Sequence, residues 1–79
     1  MDKNTCVIKL NTIDKVKDFV SRVSTFDCDV DILYGRYIID ATSIMGIFSL
    51  DLTNPVTVLI HTDDYDELKR FFEIMEDFK

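Results

Sequence analysis

The chain has 79 residues and a formal charge of −6, with 47% hydrophobic and 30% charged residues. That is the length and composition of one globular domain over residues 1–79, with a small core and little room for linkers. Nine Lys and Arg against fifteen Asp and Glu exclude a phosphate-binding basic surface, so neither nucleic acid nor anionic lipid is an expected partner.

Cys6 and Cys28 are too few for a disulfide framework and lack C-x-x-C spacing. The opening residues MDKNTCVIKL lack the apolar stretch of a signal peptide. No apolar run reaches the ~18 residues of a membrane span. The expectation is a cytoplasmic protein with reduced thiols, no membrane insertion and protein partners.

In chain order, Thr5–Leu10 has the β-branched enrichment of a strand, with Cys6, Ile8 and Leu10 on one face. Asn11 or Thr12 then caps a helix, and Asp14 falls in its first turn. Ile13, Val16, Phe19, Val20 and Val23 keep the spacing of one buried stripe, and the helix should run to about Thr25. Asp27 to Ala41 reads as a hairpin, with Gly35-Arg36 as a two-residue turn whose first position tolerates positive φ. Thr42 or Ser43 begins a short helix, TSIMGIFSLDL. Asn54-Pro55 marks a turn, and Val56–Thr62 is a further strand. Asp63 and Asp64 offer caps to a last helix carrying Tyr65, Leu68, Phe71, Phe72, Met75 and Phe78. Glu67, three residues after Asp64, suits a capping box. The order β-α-β-β-α-β-α implies a two-layer α+β domain with helices on one face of a four-stranded sheet.

Three features resemble the phosphocarrier HPr family of the bacterial sugar phosphotransferase system. Ser43-Ile44-Met45-Gly46-Ile47-Phe48-Ser49-Leu50 is close to the SIMG-x-x-SL block around that family's regulatory serine. Phe26-Asp27-Cys28-Asp29-Val30 is similar to its F-x-[SA]-x-[IV] approach to the second strand. The element order agrees over essentially the whole chain. The resemblance implies an HPr-like open-faced β-sandwich: an antiparallel sheet of strand order 1-4-2-3 with three helices on one face. It also implies no cofactor.

The resemblance breaks at the family's G-[IL]-H-A-R-P motif, whose histidine carries the phosphoryl group. Counted back from Phe26, the histidine position falls at Thr12, the arginine position at Asp14 and the proline position at Lys15. A reversible carrier needs a nitrogen nucleophile, because a threonine phosphoester is far more inert. It also needs a cation beside the helix N-terminus, where Asp14 brings repulsion. The resemblance therefore points to a regulatory or protein-interaction module without phosphoryl transfer and without a catalytic residue. Its partners would be phosphotransferase-system or transcriptional-regulator proteins. An active phosphocarrier using His61 is the alternative, although that histidine ends a strand and does not open the first helix.

Ser43 has two readings. It is a helix N-cap worth ~1 kcal/mol, and the resemblance makes it a regulatory phosphorylation site as well. Ile44, Met45 and Phe48 likewise divide between core packing, which periodicity favours, and the exposed partner-docking face that the resemblance implies. Ile47 and Leu50 point to the core. His61, Asp63 and Asp64 lack a metal-ligand pattern and read as surface and capping residues. Asp27, Asp29 and Asp31 read as a solvated acidic edge, without the glycine and glutamate of a calcium loop. The oligomeric state is left open.

Overall fold

The computed structural model describes residues 4–79. Its elements are β1 (Thr5–Ile8), α1 (Ile13–Val23), β2 (Val30–Tyr34), β3 (Tyr37–Asp40), α2 (Ile44–Phe48), β4 (Val56–Ile60) and α3 (Tyr65–Glu76). The strands form one antiparallel sheet in the order β1-β4-β2-β3. Three helices cover one face and leave the other open. The expected order and topology are those observed.

Alternation along the strands builds the covered face. Ile8, Val30, Ile32, Val56, Val58 and Ile60 are buried, and between them the strand residues are partly or largely exposed. Against this face pack Val16, Phe19 and Val23 from α1, Ile47 from α2, and Phe71 and Met75 from α3. Phe19 and Phe78 meet edge to face at 5.6 Å, tying α1 to the chain just beyond α3. The hairpin turn has Gly35 at φ +59° and no positive φ at Arg36. That is the II′ pattern, whose backbone twist suits adjoining strands.

Element ends differ from the sequence expectation for local reasons. β1 stops at Ile8 because the Lys9 N–H donates to the Phe78 carbonyl at 2.8 Å, although Leu10 remains fully buried. α1 stops at Val23, where Ser24 and Thr25 hydroxyls donate back to the Val20 and Arg22 carbonyls. β4 ends at Ile60, after which the His61 N–H donates to the Asp29 carbonyl. α3 ends at Glu76, with Asp77 as its C-cap.

Two side-chain expectations are also corrected. Ile13 is 63% exposed and Tyr65 is 75% exposed; each opens its helix, a turn before the stripe reaches the core. The capping box at α3 does not form. Asp64 accepts from the Asp66 N–H, while the Asp64 N–H donates to the Thr62 hydroxyl and Glu67 accepts from that hydroxyl.

Candidate functional site

Two helix N-termini carry the residues that the sequence singles out. At the first, Thr12 is the N-cap of α1 in extended backbone geometry, and its hydroxyl accepts from the Lys15 N–H at 3.1 Å. Asp14 is exposed in the first turn of the same helix. At the second, Ser43 is the N-cap of α2, accepting from the Gly46 N–H at 3.3 Å. Thr42 stands outside this cap: its N–H and hydroxyl both donate to Asp40 Oδ1, at 2.9 and 2.7 Å. These two bonds hold the Asp40 carboxyl below the usual aspartate range. They shape the turn leading from β3 into α2.

α2 is short because its inner face has little to cover. Ile47 is fully buried, Ile44 is half-buried against the core, and Leu50 is half-buried just beyond the helix. Gly46 sits where the helix meets β3. A Cβ there would lie 3.0 Å from Ile39 Cγ2 and 3.1 Å from Ser43 Oγ. The absent side chain lets α2 close onto the hairpin while Ser43 keeps its capping position. The outer face is apolar: Met45 is 76% and Phe48 39% exposed. α1 packs beside α2, and Ile13, the first residue of α1, is exposed as well. Periodicity concealed Ile13, which keeps the stripe's spacing; the one signal for it was its place immediately after the cap.

His61 lies elsewhere. Thr12 follows the Ile8 end of β1, which pairs with Val56 at the start of β4. His61 follows the far end of β4, where Ile60 pairs with Val30. The two residues therefore stand at opposite ends of the sheet. His61 Nε2 is 2.7 Å from Asp31 Oδ2, an orientation in which the ring is held by a carboxylate. Asp27 and Asp29 are exposed and Asp31 is half-buried. Asp64 is occupied as the α3 cap, and Asp63 is exposed. Among the described residues no three His, Cys, Asp or Glu side chains converge on a possible metal site. Cys6 and Cys28 are free and half-buried, and burial raises both thiol pKa values, which lowers their thiolate character. No helix among the described residues is long and apolar enough to cross a membrane.

An open-faced sandwich with strand order 1-4-2-3, two hydroxyl-capped helices side by side and apolar side chains on their outer surface defines an HPr-type domain. Residues 15–78 match the family model described as the PTS HPr component phosphorylation site. The chain belongs to the HPr family of the phosphotransferase system, whose members are phosphocarriers that interact with other proteins of that system. The matched segment opens at Lys15, three residues after Thr12. Among solved structures, the fold is similar to HPr-C-His from Thermoanaerobacter tengcongensis, with TM-score 0.72 and 25% identity, covering 98% of this chain and 93% of that one. Comparison with curated proteins returned no match.

Proposed function

We propose that this HPr-family chain is a regulatory protein-interaction module that has lost phosphoryl transfer. The observation that carries the reading is the cap of α1. Thr12 stands where the family resemblance puts the phosphoacceptor histidine, and its hydroxyl takes the Lys15 N–H. A helix N-terminus binds a phosphoryl group through free N–H donors and positive potential. Here one donor is already satisfied, and the Asp14 carboxylate adds negative charge to the same turn. A hydroxyl in place of imidazole would also give an ester with low transfer potential.

Ile44, Met45 and Phe48 form the proposed docking face. Met45 and Phe48 leave apolar surface in water on a helix that already has a buried inner face, which supports recognition and not core packing. The proposed partners are phosphotransferase-system proteins or a transcriptional regulator. Incubation with enzyme I and phosphoenolpyruvate should leave the chain without acid-labile phosphate; labelling would overturn the loss of carrier activity. In a pull-down of partners, Met45→Asp/Phe48→Asp should lose what the native chain recovers. Unchanged recovery would remove the docking face from the proposal.

A second reading has a specific observation in its favour. The Ser43 hydroxyl is exposed and faces the first N–H groups of α2, so a phosphate there would be favourably placed by charge. Under this reading HPr kinase and ATP add one phosphate, which Ser43→Ala abolishes. Phosphate transfer through His61 is disfavoured by its pairing with Asp31 at the opposite end of the sheet.

A further inference from the structure

α2 covers only part of the hairpin, and the part left bare lines a pocket. Ile39 is the cross-strand partner of Ile32, which is buried under the helices, and Tyr34 pairs with Tyr37 two residues on. By strand alternation these side chains share the helical face of the sheet. α2 ends at Phe48, and a pocket of about 490 Å³ lies between Tyr34, Tyr37 and Ile39 of the hairpin and Ser49, Leu50 and Asp51 behind the helix. That volume is ample for one long side chain.

The polar side chains of this pocket accept hydrogen bonds and offer few. Ser49 donates its proton to the Gly46 carbonyl at 2.6 Å, which leaves its oxygen as an acceptor. Asp51 Oδ1 takes the Thr53 hydroxyl at 2.6 Å and the Thr53 N–H at 3.1 Å. Those bonds hold the carboxyl below the usual aspartate range, so it is charged at neutral pH. Oδ2 has only Asn54 Nδ2, at a long 3.4 Å. Among the described residues no ion pair uses Asp51, and no Lys or Arg lines the pocket. Only the tyrosine hydroxyls among the lining side chains can donate. The Arg36 guanidinium lies 6.0 Å from the Tyr37 ring centroid, at the outer limit of attraction to an aromatic face, and makes no ion pair with the carboxylate.

We propose that this pocket takes an arginine side chain of a partner protein. The aliphatic stem would lie against Ile39 and Leu50, with the guanidinium over a tyrosine ring, donating to Asp51 Oδ2 and Ser49 Oγ. A guanidinium carries five donors and no acceptor, the complement of this lining, and it stacks on aromatic faces. An anion would be repelled by the carboxylate, and an apolar side chain would cover the free oxygen without pairing it. The net charge of −6 favours a basic partner as well. The inference deepens the docking reading of α2, on which it rests: the pocket begins at Ser49, directly after Phe48, so a partner seated on the helix has it within reach.

The test needs no partner. The probe is acetyl-leucyl-arginyl-leucine amide, with citrulline in place of arginine as its neutral isostere, titrated into the isotope-labelled full chain and followed by amide NMR shifts. The arginine peptide should bind with a dissociation constant on the order of 1–10 mM and shift Tyr34, Tyr37, Leu50 and Asp51. Asp51 is exposed, so solvent screens the pair and the effects are modest. The citrulline peptide should bind about fivefold more weakly. Asp51→Asn keeps an oxygen for the Thr53 turn but puts an amide where the free acceptor was. It should weaken arginine binding by about fivefold, and Tyr37→Ala by about two- to fivefold. Asp27→Asn removes the same charge at the other end of β2 and should leave binding unchanged. Thermal melting checks that each variant folds. Absence of binding, equal binding of the two peptides, or indifference to Asp51→Asn overturns the proposal. So does binding that appears only in Arg36→Ala, because the pocket then belongs to the chain's own arginine. Failure of the docking reading is seen separately, in partner recovery by Met45→Asp/Phe48→Asp, which the peptide titration does not involve.

Discussion

The α1 and α2 corners begin alike and diverge in what they support. Each helix opens on a hydroxyl residue in extended geometry whose side chain accepts from the N–H three residues on. At α1 an acidic residue follows in the first turn, and eleven residues of helix continue along the core. At α2 no acidic residue follows, and the helix ends after five residues with two apolar side chains left outside. The lesson is that one capping device serves two ends. At α1 it takes the Lys15 N–H at the start of a helix that continues along the core; at α2 it starts an element too short to be stable alone.

The sharpest way to break this comparison is to rebuild the first corner. Thr12→His/Asp14→Arg/Lys15→Pro removes the capped N–H and the local negative charge together, and a proline is tolerated in a first helical turn. The triple variant should accept acid-labile phosphate from enzyme I, while the native chain accepts none. Absence of label on a folded triple variant would show that the block lies outside this corner.

Next in size is a contrast between two isoleucines. Ile47→Ala opens a cavity beneath α2 and should destabilise the domain by about 2–5 kcal/mol, because Ile47 is fully buried. Ile13→Ala should change stability by no more than ~0.5 kcal/mol. Urea denaturation measures both, and equal losses would contradict the exposed placement of Ile13. The caps come third. Thr12→Ala and Ser43→Ala should each cost about 1 kcal/mol, but the losses should be distributed differently. α1 retains its packed stripe, whereas α2 has little beyond Ile47 to hold it. Hydrogen exchange should therefore accelerate throughout α2 in Ser43→Ala and only at the first turn of α1 in Thr12→Ala.

The sequence made the strands, the hairpin turn and the neighbourhood of both caps legible, because each depends on a local signal: β-branched alternation, a glycine at positive φ, a hydroxyl before an apolar run. The sheet order was legible only through the family resemblance. It was misleading where periodicity continued past the core. Ile13 and Tyr65 keep the helical spacing of Val16 and Leu68, yet each is the first residue of its helix and stays exposed. Glu67 had the capping-box spacing but was drawn to the Thr62 hydroxyl, a partner that spacing within the helix does not reveal. The pocket behind α2 was hidden for a related reason. Tyr34, Tyr37 and Asp51 are apart in sequence, and only the hairpin register and the end of α2 bring them together. At the candidate site, the SIMG block located α2, while the exposure of Met45 and Phe48 required knowing which side of that helix met Ile39 and the core.

The smallest expected effect concerns the turn that delivers α2. Asp40 accepts two bonds from Thr42, and both favour its ionised form, so its folded-state pKa lies below the unfolded value. Stability from this interaction is complete above the unfolded aspartate value, near pH 4, and is lost as pH falls through the lower folded value. Asp40 is exposed, so solvent screening keeps the contribution modest. Asp40→Asn retains an acceptor for Thr42 but removes the charge. It should be slightly less stable than the native chain at pH 7, and the difference should shrink below about pH 4. The α1 corner offers a control, since Thr12 caps through a hydroxyl that does not titrate in this range. Thr12→Ala should show a nearly pH-independent loss over the same interval. If Asp40→Asn kept its full deficit at low pH, the stabilisation would come from the shape of the Asp40–Thr42 turn and not from the carboxylate charge.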